Sequence, residues 1–221
     1  MKRYRMALFD FDGTLADSFP FFMATLNELA RRHGFRPVTP QDVARMRRQD
    51  VRANMRLVGL PPWKLPLVAA SFIRLMRERR DDLPLFDGIG DVLRQLYASG
   101  LTLALVTSNS ADNARRMLGP ELAALFAHCE GRSPLLGKHG RIRRVLAHGD
   151  VDPSEALYVG DQLSDLKAAR RAGVDFGAVA WGYGDIDALC CAGAAQVFWE
   201  VRALGQLTAC AQQQARKDNP A

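Results

Sequence analysis

Asp10 and Asp12 stand one residue apart in Asp10-Phe11-Asp12-Gly13-Thr14, directly after the apolar run that ends at Phe9. Such a run reads as a buried strand. Both carboxylates therefore sit at a strand's carboxyl end, where open α/β sheets bind ligands. Two acids held this close and away from water are costly unless a cation or a substrate uses them. Gly13 frees the backbone to turn at once. The pattern points to a metal-assisted nucleophile paired with a general acid/base. Other polar groups follow other apolar runs: Thr107, Ser108 and Asn109 after residues 101–106, and Asp161 and Asp165 after residues 156–159. Lys138 stands in the Gly-flanked loop Leu136-Gly137-Lys138-His139-Gly140.

The elements that must position these groups alternate. Strands are expected over 4–10, 101–106, 126–129, 156–159, 176–180 and 195–198, with helices over 89–99, 112–118, 140–148 and 164–172 between them. Strands alternating with helices imply parallel βαβ units, and a parallel sheet brings every strand end to one edge. Residues 16–85 interrupt this order with helices alone. Ser18 or Asp17 with Pro20 opens the first and Gly34 closes it. Thr39-Pro40-Gln41-Asp42 opens the second as a capping box. Two more are expected over 51–58 and 63–80. The fold class is therefore α/β: a Rossmann-like core of parallel sheet flanked by helices (residues 1–15 and 86–212), with an all-helical cap domain (residues 16–85) inserted after the first strand. Residues 213–221 read as a frayed polar tail.

The chain has 221 residues, enough for one sizeable core with a small accessory domain. Its net charge of +6 is concentrated. Residues 16–85 hold thirteen Lys/Arg against seven Asp/Glu, so this segment accounts for the whole excess. The excess suits solvated helix faces or a positive field over an anionic substrate. Nucleic acid is not expected as a partner, because no binding motif accompanies the charge. No apolar run is long enough to span a bilayer, and the run after Lys2, Arg3 and Arg5 is broken by Asp10 too early for a signal peptide. Cys129, Cys190, Cys191 and Cys210 form no CxxC pair and read as reduced thiols of a cytoplasmic protein. The four histidines share no metal-ligand spacing.

Taken together the motifs resemble those of the haloacid dehalogenase superfamily of phosphatases. Asp-Phe-Asp-Gly-Thr (10–14) is similar to its first motif, Leu-Val-Thr-Ser-Asn (105–109) to its second, Lys138 to its third and Val-Gly-Asp-Gln-Leu-Ser-Asp (159–165) to its fourth. The helical insertion resembles the superfamily's C1-type cap. Ala180-Trp181-Gly182-Tyr183-Gly184 resembles the phosphoglycolate phosphatase branch. The resemblance implies a Mg²⁺-dependent phosphomonoester hydrolase acting on a small phosphorylated metabolite. In it Asp10 is the nucleophile and becomes an aspartyl phosphate, and Asp12 is the general acid/base. Asp161 binds Mg²⁺ with Asp10 and the backbone carbonyl of Asp12, and Asp165 binds it directly or through water. Thr107 holds a phosphoryl oxygen with the amides of Ser108 and Asn109, and Lys138 neutralises the charge on nucleophile and phosphoryl group.

Each residue also has a structural role open to it: Asp161 as a helix cap, Thr107 as a turn residue, Lys138 as a solvated loop lysine. His139 stands where the family often has Pro. Asp12 argues against dehalogenases and phosphonoacetaldehyde hydrolases, which lack it. Thr14 favours hydrolases over sugar phosphomutases of the same superfamily, which stay an alternative. A non-catalytic phosphate- or Mg²⁺-binding signalling module is a second alternative. Substrate choice is assigned to the cap, which closes over the crevice, with Arg45, Arg47, Arg48, Arg52 and Lys64 as candidates for gripping a second anionic group. A small carboxylate-bearing ester such as 2-phosphoglycolate would use them. Monomer and homodimer are both left open.

Overall fold

The computed structural model describes residues 4–47, 49, 51–78, 83–133 and 137–207, with the backbone alone at 44, 47, 51, 76 and 77. The expected tail at 213–221 and Arg48 lie outside the described residues. The chain divides into two compact units, Met1–Asp17 with Leu85–Ala221, and Ser18–Pro84. No helix among the described residues is long and apolar enough to cross a membrane.

The second unit is helical: α1 (Phe19–His33), α2 (Pro40–Arg47), α3 (Val51–Leu57) and α4 (Leu65–Glu78), the last preceded by a 3-10 turn at Pro62–Lys64. The expected single helix from 63 to 80 is thus a turn and a helix: the Leu65 N–H takes the Pro62 carbonyl in 3-10 fashion, and Pro66 has no N–H to take it in α fashion. Gly34 closes α1 in the left-handed conformation. Thr39 and Asp42 cap α2 reciprocally: the Thr39 N–H donates to Asp42 Oδ2 at 2.9 Å and the Asp42 N–H to Thr39 Oγ1 at 3.3 Å. Leu29, Phe35, Val38, Met55, Val58, Leu60, Val68 and Leu75 form this unit's own apolar core.

The first unit is a six-stranded sheet of β1 (Met6–Phe9), β2 (Thr102–Val106), β3 (Phe126–Glu130), β4 (Ala156–Gly160), β5 (Asp175–Val179) and β6 (Gln196–Phe198). The strand order is β3-β2-β1-β4-β5-β6, and each neighbouring pair is parallel. Helices α5 (Ile89–Ala98), α6 (Ala111–Ala123), α7 (Lys138–Gly149), α8 (Leu163–Ala172) and α9 (Ile186–Cys191) complete it. Side chains alternate across the pleat. Ala7, Phe9, Leu103, Leu105, Leu157 and Val159 face α5 and α6. Met6, Leu8, Ala104, Val106, Ala156 and Tyr158 face α7, α8 and Leu189 of α9. β1 is buried along its whole length, the pattern of a central parallel strand covered on both faces. Strand order reverses between β1 and β4, which makes the carboxyl end of β1 the topological switch point where this architecture binds ligands.

Leu93 is fully buried between α5 and the sheet. Leu93→Ala should cost about 2–5 kcal/mol in urea unfolding. Leu67→Ala, at a side chain 57% exposed in the helical unit, should stay within about 0.5 kcal/mol of wild type.

Candidate active site

Register brings the chemistry together. Phe9 pairs with Leu105 of β2 and Val159 of β4. Asp10, Thr107 and Asp161 therefore emerge within one or two residues of a common level, and the Asp10 N–H still donates to the Val159 carbonyl at 2.9 Å. Carboxylate oxygens of Asp10, Asp161 and Asp165 lie within 4.8 Å of one another, and all three residues are buried. Asp165 reaches the cluster from the first turn of α8, where it also caps the helix by accepting the Gln162 N–H at 3.2 Å. The cap role open to Asp161 thus falls to Gln162 and Asp165 instead.

Lys138 is the cation of this cluster. Its Nζ lies 3.0 Å from Asp10 Oδ2 and 2.6 Å from Asp165 Oδ1. The expected loop is corrected here: Lys138 is the first residue of α7, following Gly137. Burial opposes its charge, but Asp10, Tyr158 and Asp165 outweigh that and raise its pKa well above the ordinary value. One ammonium does not balance three carboxylates. Burial pushes the Asp10 carboxyl up to about 7, with Lys138 opposing and the charges of Asp165 and Asp12 adding to the rise. Asp161 is pushed well above the usual carboxylate range by burial, then by Asp165 and Asp10. Asp10 Oδ1 is buried without a hydrogen-bond partner. An oxygen-only donor set with a surplus of negative charge and an unsatisfied carboxylate oxygen suits a hard divalent cation such as Mg²⁺.

The Asp12 carboxylate stands outside this cluster. Its Oδ2 accepts from Asn109 Nδ2 at 3.2 Å. Asn109 thus acts differently from expectation: its side chain orients Asp12, and its backbone N–H donates to Thr107 Oγ1 at 3.0 Å rather than standing open to an anion. Thr107 is buried and Ser108 is exposed. Two residues not singled out by sequence anchor the end of β2. The Tyr158 hydroxyl donates to the Val106 carbonyl at 2.7 Å, and buried Arg141, one turn beyond Lys138 on α7, donates to the Thr107 carbonyl. An arginine in a helical run gives no hint of burial. Only the i, i+3 spacing from Lys138 sets the two cations on one face.

Gly13 has φ +82°, and a Cβ there would come within 2.6 Å of Asp161 Oδ2. Thr14 Oγ1 donates to Asp161 Oδ1 at 3.5 Å, and the Tyr183 N–H to Asp161 Oδ2 at 2.7 Å. The structural use of Trp181 and Tyr183 was not legible from spacing; the only signal was the Trp-Gly-Tyr-Gly string itself.

In the helical unit, Arg45 and Arg52 are exposed. Arg45 lines a cavity of about 280 Å³ with Gln49, Ala53, Arg56 and Leu57. Arg56 was not among the expected residues. Lys64 is engaged within its own unit, donating to the His33 carbonyl at 2.7 Å and lying against the Trp63 ring. The Arg47 side chain lies outside the described residues.

Residues 7–179 match the family model described as haloacid dehalogenase-like hydrolase. The chain is 36% identical over 186 residues to a phosphoglycolate phosphatase of Synechococcus elongatus, covering 82% of this chain and 86% of that one. It is 29% identical over 205 residues to an N-acetylmuramic acid 6-phosphate phosphatase of Pseudomonas aeruginosa, covering 83% and 85%. The fold matches a haloacid dehalogenase-like hydrolase from Streptococcus pneumoniae with TM-score 0.82 at 20% identity, over 92% of this chain and 98% of that one.

The charge surplus has a pH signature in metal-free protein. In the unfolded chain Asp10 and Asp161 ionise near their ordinary value of 3.8, whereas in the folded chain Asp10 stays protonated up to about 7 and Asp161 above its ordinary range. The folded state then binds more protons, so this stabilisation is complete below about pH 4 and is lost as pH rises through 7. In EDTA the urea midpoint should fall between pH 5 and pH 8. Asp161→Asn can accept the Tyr183 N–H with its oxygen and donate its NH2 to the Thr14 hydroxyl, and it carries no charge, so its midpoint should fall less. A slope equal to wild type would remove Asp161 from this effect.

Proposed function

The chain belongs to the haloacid dehalogenase-like hydrolase family, and from that premise we propose that it is a Mg²⁺-dependent phosphatase of a small phosphomonoester, working through an aspartyl phosphate on Asp10. The observation that carries this reading is the buried cluster of Asp10, Asp161 and Asp165 with a single lysine among them. Asp10, Asp161 and Asp165 would hold the cation, joined by the Asp12 backbone carbonyl as in the family. When bound, Mg²⁺ would offset the carboxylate charge that otherwise repels a phosphate dianion and keeps Asp10 partly protonated.

The chain's own groups do the rest. A carboxylate oxygen of Asp10 attacks phosphorus, and the bond from phosphorus to the ester oxygen breaks. The Asp12 carboxyl, steadied by Asn109 Nδ2, gives its proton to the departing alkoxide. Asp12, now a carboxylate, takes a proton from water as that water attacks phosphorus. Inorganic phosphate leaves and the Asp10 carboxylate is restored. Lys138 stays charged beside Asp10 and offsets charge spreading onto the phosphoryl oxygens. The Thr107 turn, tied down through Val106 and Thr107 carbonyls, supports binding of the phosphoryl group.

The substrate class follows from two supports. The phosphatases named above act on phosphoglycolate and N-acetylmuramic acid 6-phosphate, each a phosphate ester of a molecule that also bears a carboxyl group. Residues 16–85 carry the chain's whole positive excess. We therefore assign the helical unit to substrate selection and favour a carboxylate-bearing ester, 2-phosphoglycolate among them.

Wild type should release phosphate from p-nitrophenyl phosphate with Mg²⁺ and not in EDTA. Asp10→Asn should lose roughly 10³-fold or more in kcat while keeping its circular dichroism spectrum. Near-wild-type turnover by that variant would reassign the nucleophile. Across a panel of phosphorylated metabolites, kcat/KM should rank carboxylate-bearing esters first. A panel converted to isomeric sugar phosphates without free phosphate would favour the mutase alternative instead.

A further inference from the structure

Residues Trp181-Gly182-Tyr183-Gly184, just after β5, have no part in the chemistry above, yet they touch two of its pieces. The Trp181 Nε1–H donates to the Thr14 carbonyl at 3.0 Å. The same indole packs edge-to-face on Phe86, with ring centroids 6.4 Å apart and planes at 68°. The Tyr183 N–H donates to Asp161 Oδ2 at 2.7 Å. Between these bonds the segment has no room for side chains. A Cβ on Gly182 would fall onto the Asp161 side chain and the Gly13 carbonyl, and one on Gly184 would fall onto the Asp161 backbone carbonyl. On the opposite side, the Cβ that Gly13 lacks would meet Asp161 Oδ2 and, at 3.1 Å, the Tyr183 ring. Three strand-end segments, after β1, β4 and β5, are therefore in contact through glycines.

We propose that residues 181–184 are positioning residues for the cation site, fixing the separation between Asp161 and the 10–14 turn. The inference rests on the Mg²⁺ reading given above. Asp161 is fully buried, and its two carboxylate oxygens are held by the Tyr183 N–H and the Thr14 hydroxyl. Thr14 is in turn held at its carbonyl by Trp181. The segment thus grips both partners of the Thr14–Asp161 contact. Mg²⁺ tolerates little departure from octahedral geometry, with donors at about 2.0–2.1 Å. A displacement of Asp161 by a fraction of an ångström would therefore weaken the cation's hold far more than that of the phosphoryl group.

Two variants separate this role from a general structural one. Trp181→Phe keeps a smaller ring against Phe86 and removes the N–H donor to the Thr14 carbonyl. Gly182→Ala adds the Cβ that would press on Asp161. Calorimetric titration of metal-stripped protein with MgCl₂ should give a Kd raised several-fold for Trp181→Phe and about 10- to 100-fold for Gly182→Ala. Trp181→Phe should stay folded, with its Tm in EDTA lowered by only a few degrees, and KM for p-nitrophenyl phosphate at saturating Mg²⁺ should change by less than about 2-fold. Trp199→Phe, at an indole 67% exposed, is the control. If Gly182→Ala does not fold, Trp181→Phe carries the test alone. A wild-type Mg²⁺ Kd in Trp181→Phe, or parallel losses in Mg²⁺ and ester affinity, would overturn the positioning role. A wild-type protein that binds no Mg²⁺ would overturn the cation reading itself, and the inference with it.

Discussion

Three buried carboxylates share one ammonium, and the rest of the molecule is arranged around that imbalance. Lys138 bridges Asp10 and Asp165, while the charge of Asp161 is favoured mainly by the Tyr183 N–H and less by Lys138. In a site with little water, like charges a few ångströms apart raise one another's pKa and oppose folding. The parallel sheet is what makes the arrangement achievable: its core supplies the stability from which such a cost can be met. It also delivers Asp10, Thr107 and Asp161 from three neighbouring strands to one edge, in a register fixed by Phe9, Leu105 and Val159. A strained or costly cluster persists only where the surroundings over-determine it.

That over-determination is visible in the layers beneath the reacting groups. Tyr158 has no exposed surface and lies between the site and the core: its hydroxyl fixes the end of β2, its ring stacks on Phe176, and Lys138 Nζ stands 5.7 Å from its centre. Arg141 holds the next carbonyl along from the same helix face as Lys138. On the other flank, the segment after β5 packs against Asp161 and the 10–14 turn. Asp12, Thr107 and Asp161 are thus held by residues with no part in the proposed chemistry, which is how a rigid scaffold keeps groups within the narrow tolerances of catalysis.

Much of this was legible in the sequence, for reasons that are local. Apolar runs mark buried parallel strands, and acids directly after them must lie on the ligand-binding edge, so Asp10 and Asp161 could be brought together across 151 residues of chain without coordinates. Gly34 and the Thr39–Asp42 pair gave helix ends by their own chemistry. What could not be read is long-range. Lys138 sits in a string with two glycines that looks like a loop, yet it begins α7 and meets carboxylates from the end of β1 and the first turn of α8. The Asn109 amide was expected to face an anion and instead closes a turn on Thr107. The uses of Arg141 and Trp181 depend on carbonyls 34 and 167 residues away, and no periodicity encodes such distances. Lys64, read as a substrate contact from charge alone, ends up supporting the end of α1.

In the proposed reaction Asp10 is a nucleophile whose readiness depends on a cation offsetting the charge around it. The most direct measurement is to quench a turnover of p-nitrophenyl phosphate rapidly, reduce the protein with borohydride and locate modified residues by mass spectrometry. Homoserine should appear at position 10 when Mg²⁺ is present and not in EDTA. Turnover with Asp10 unmodified, or modification that is equal with and without Mg²⁺, would contradict it.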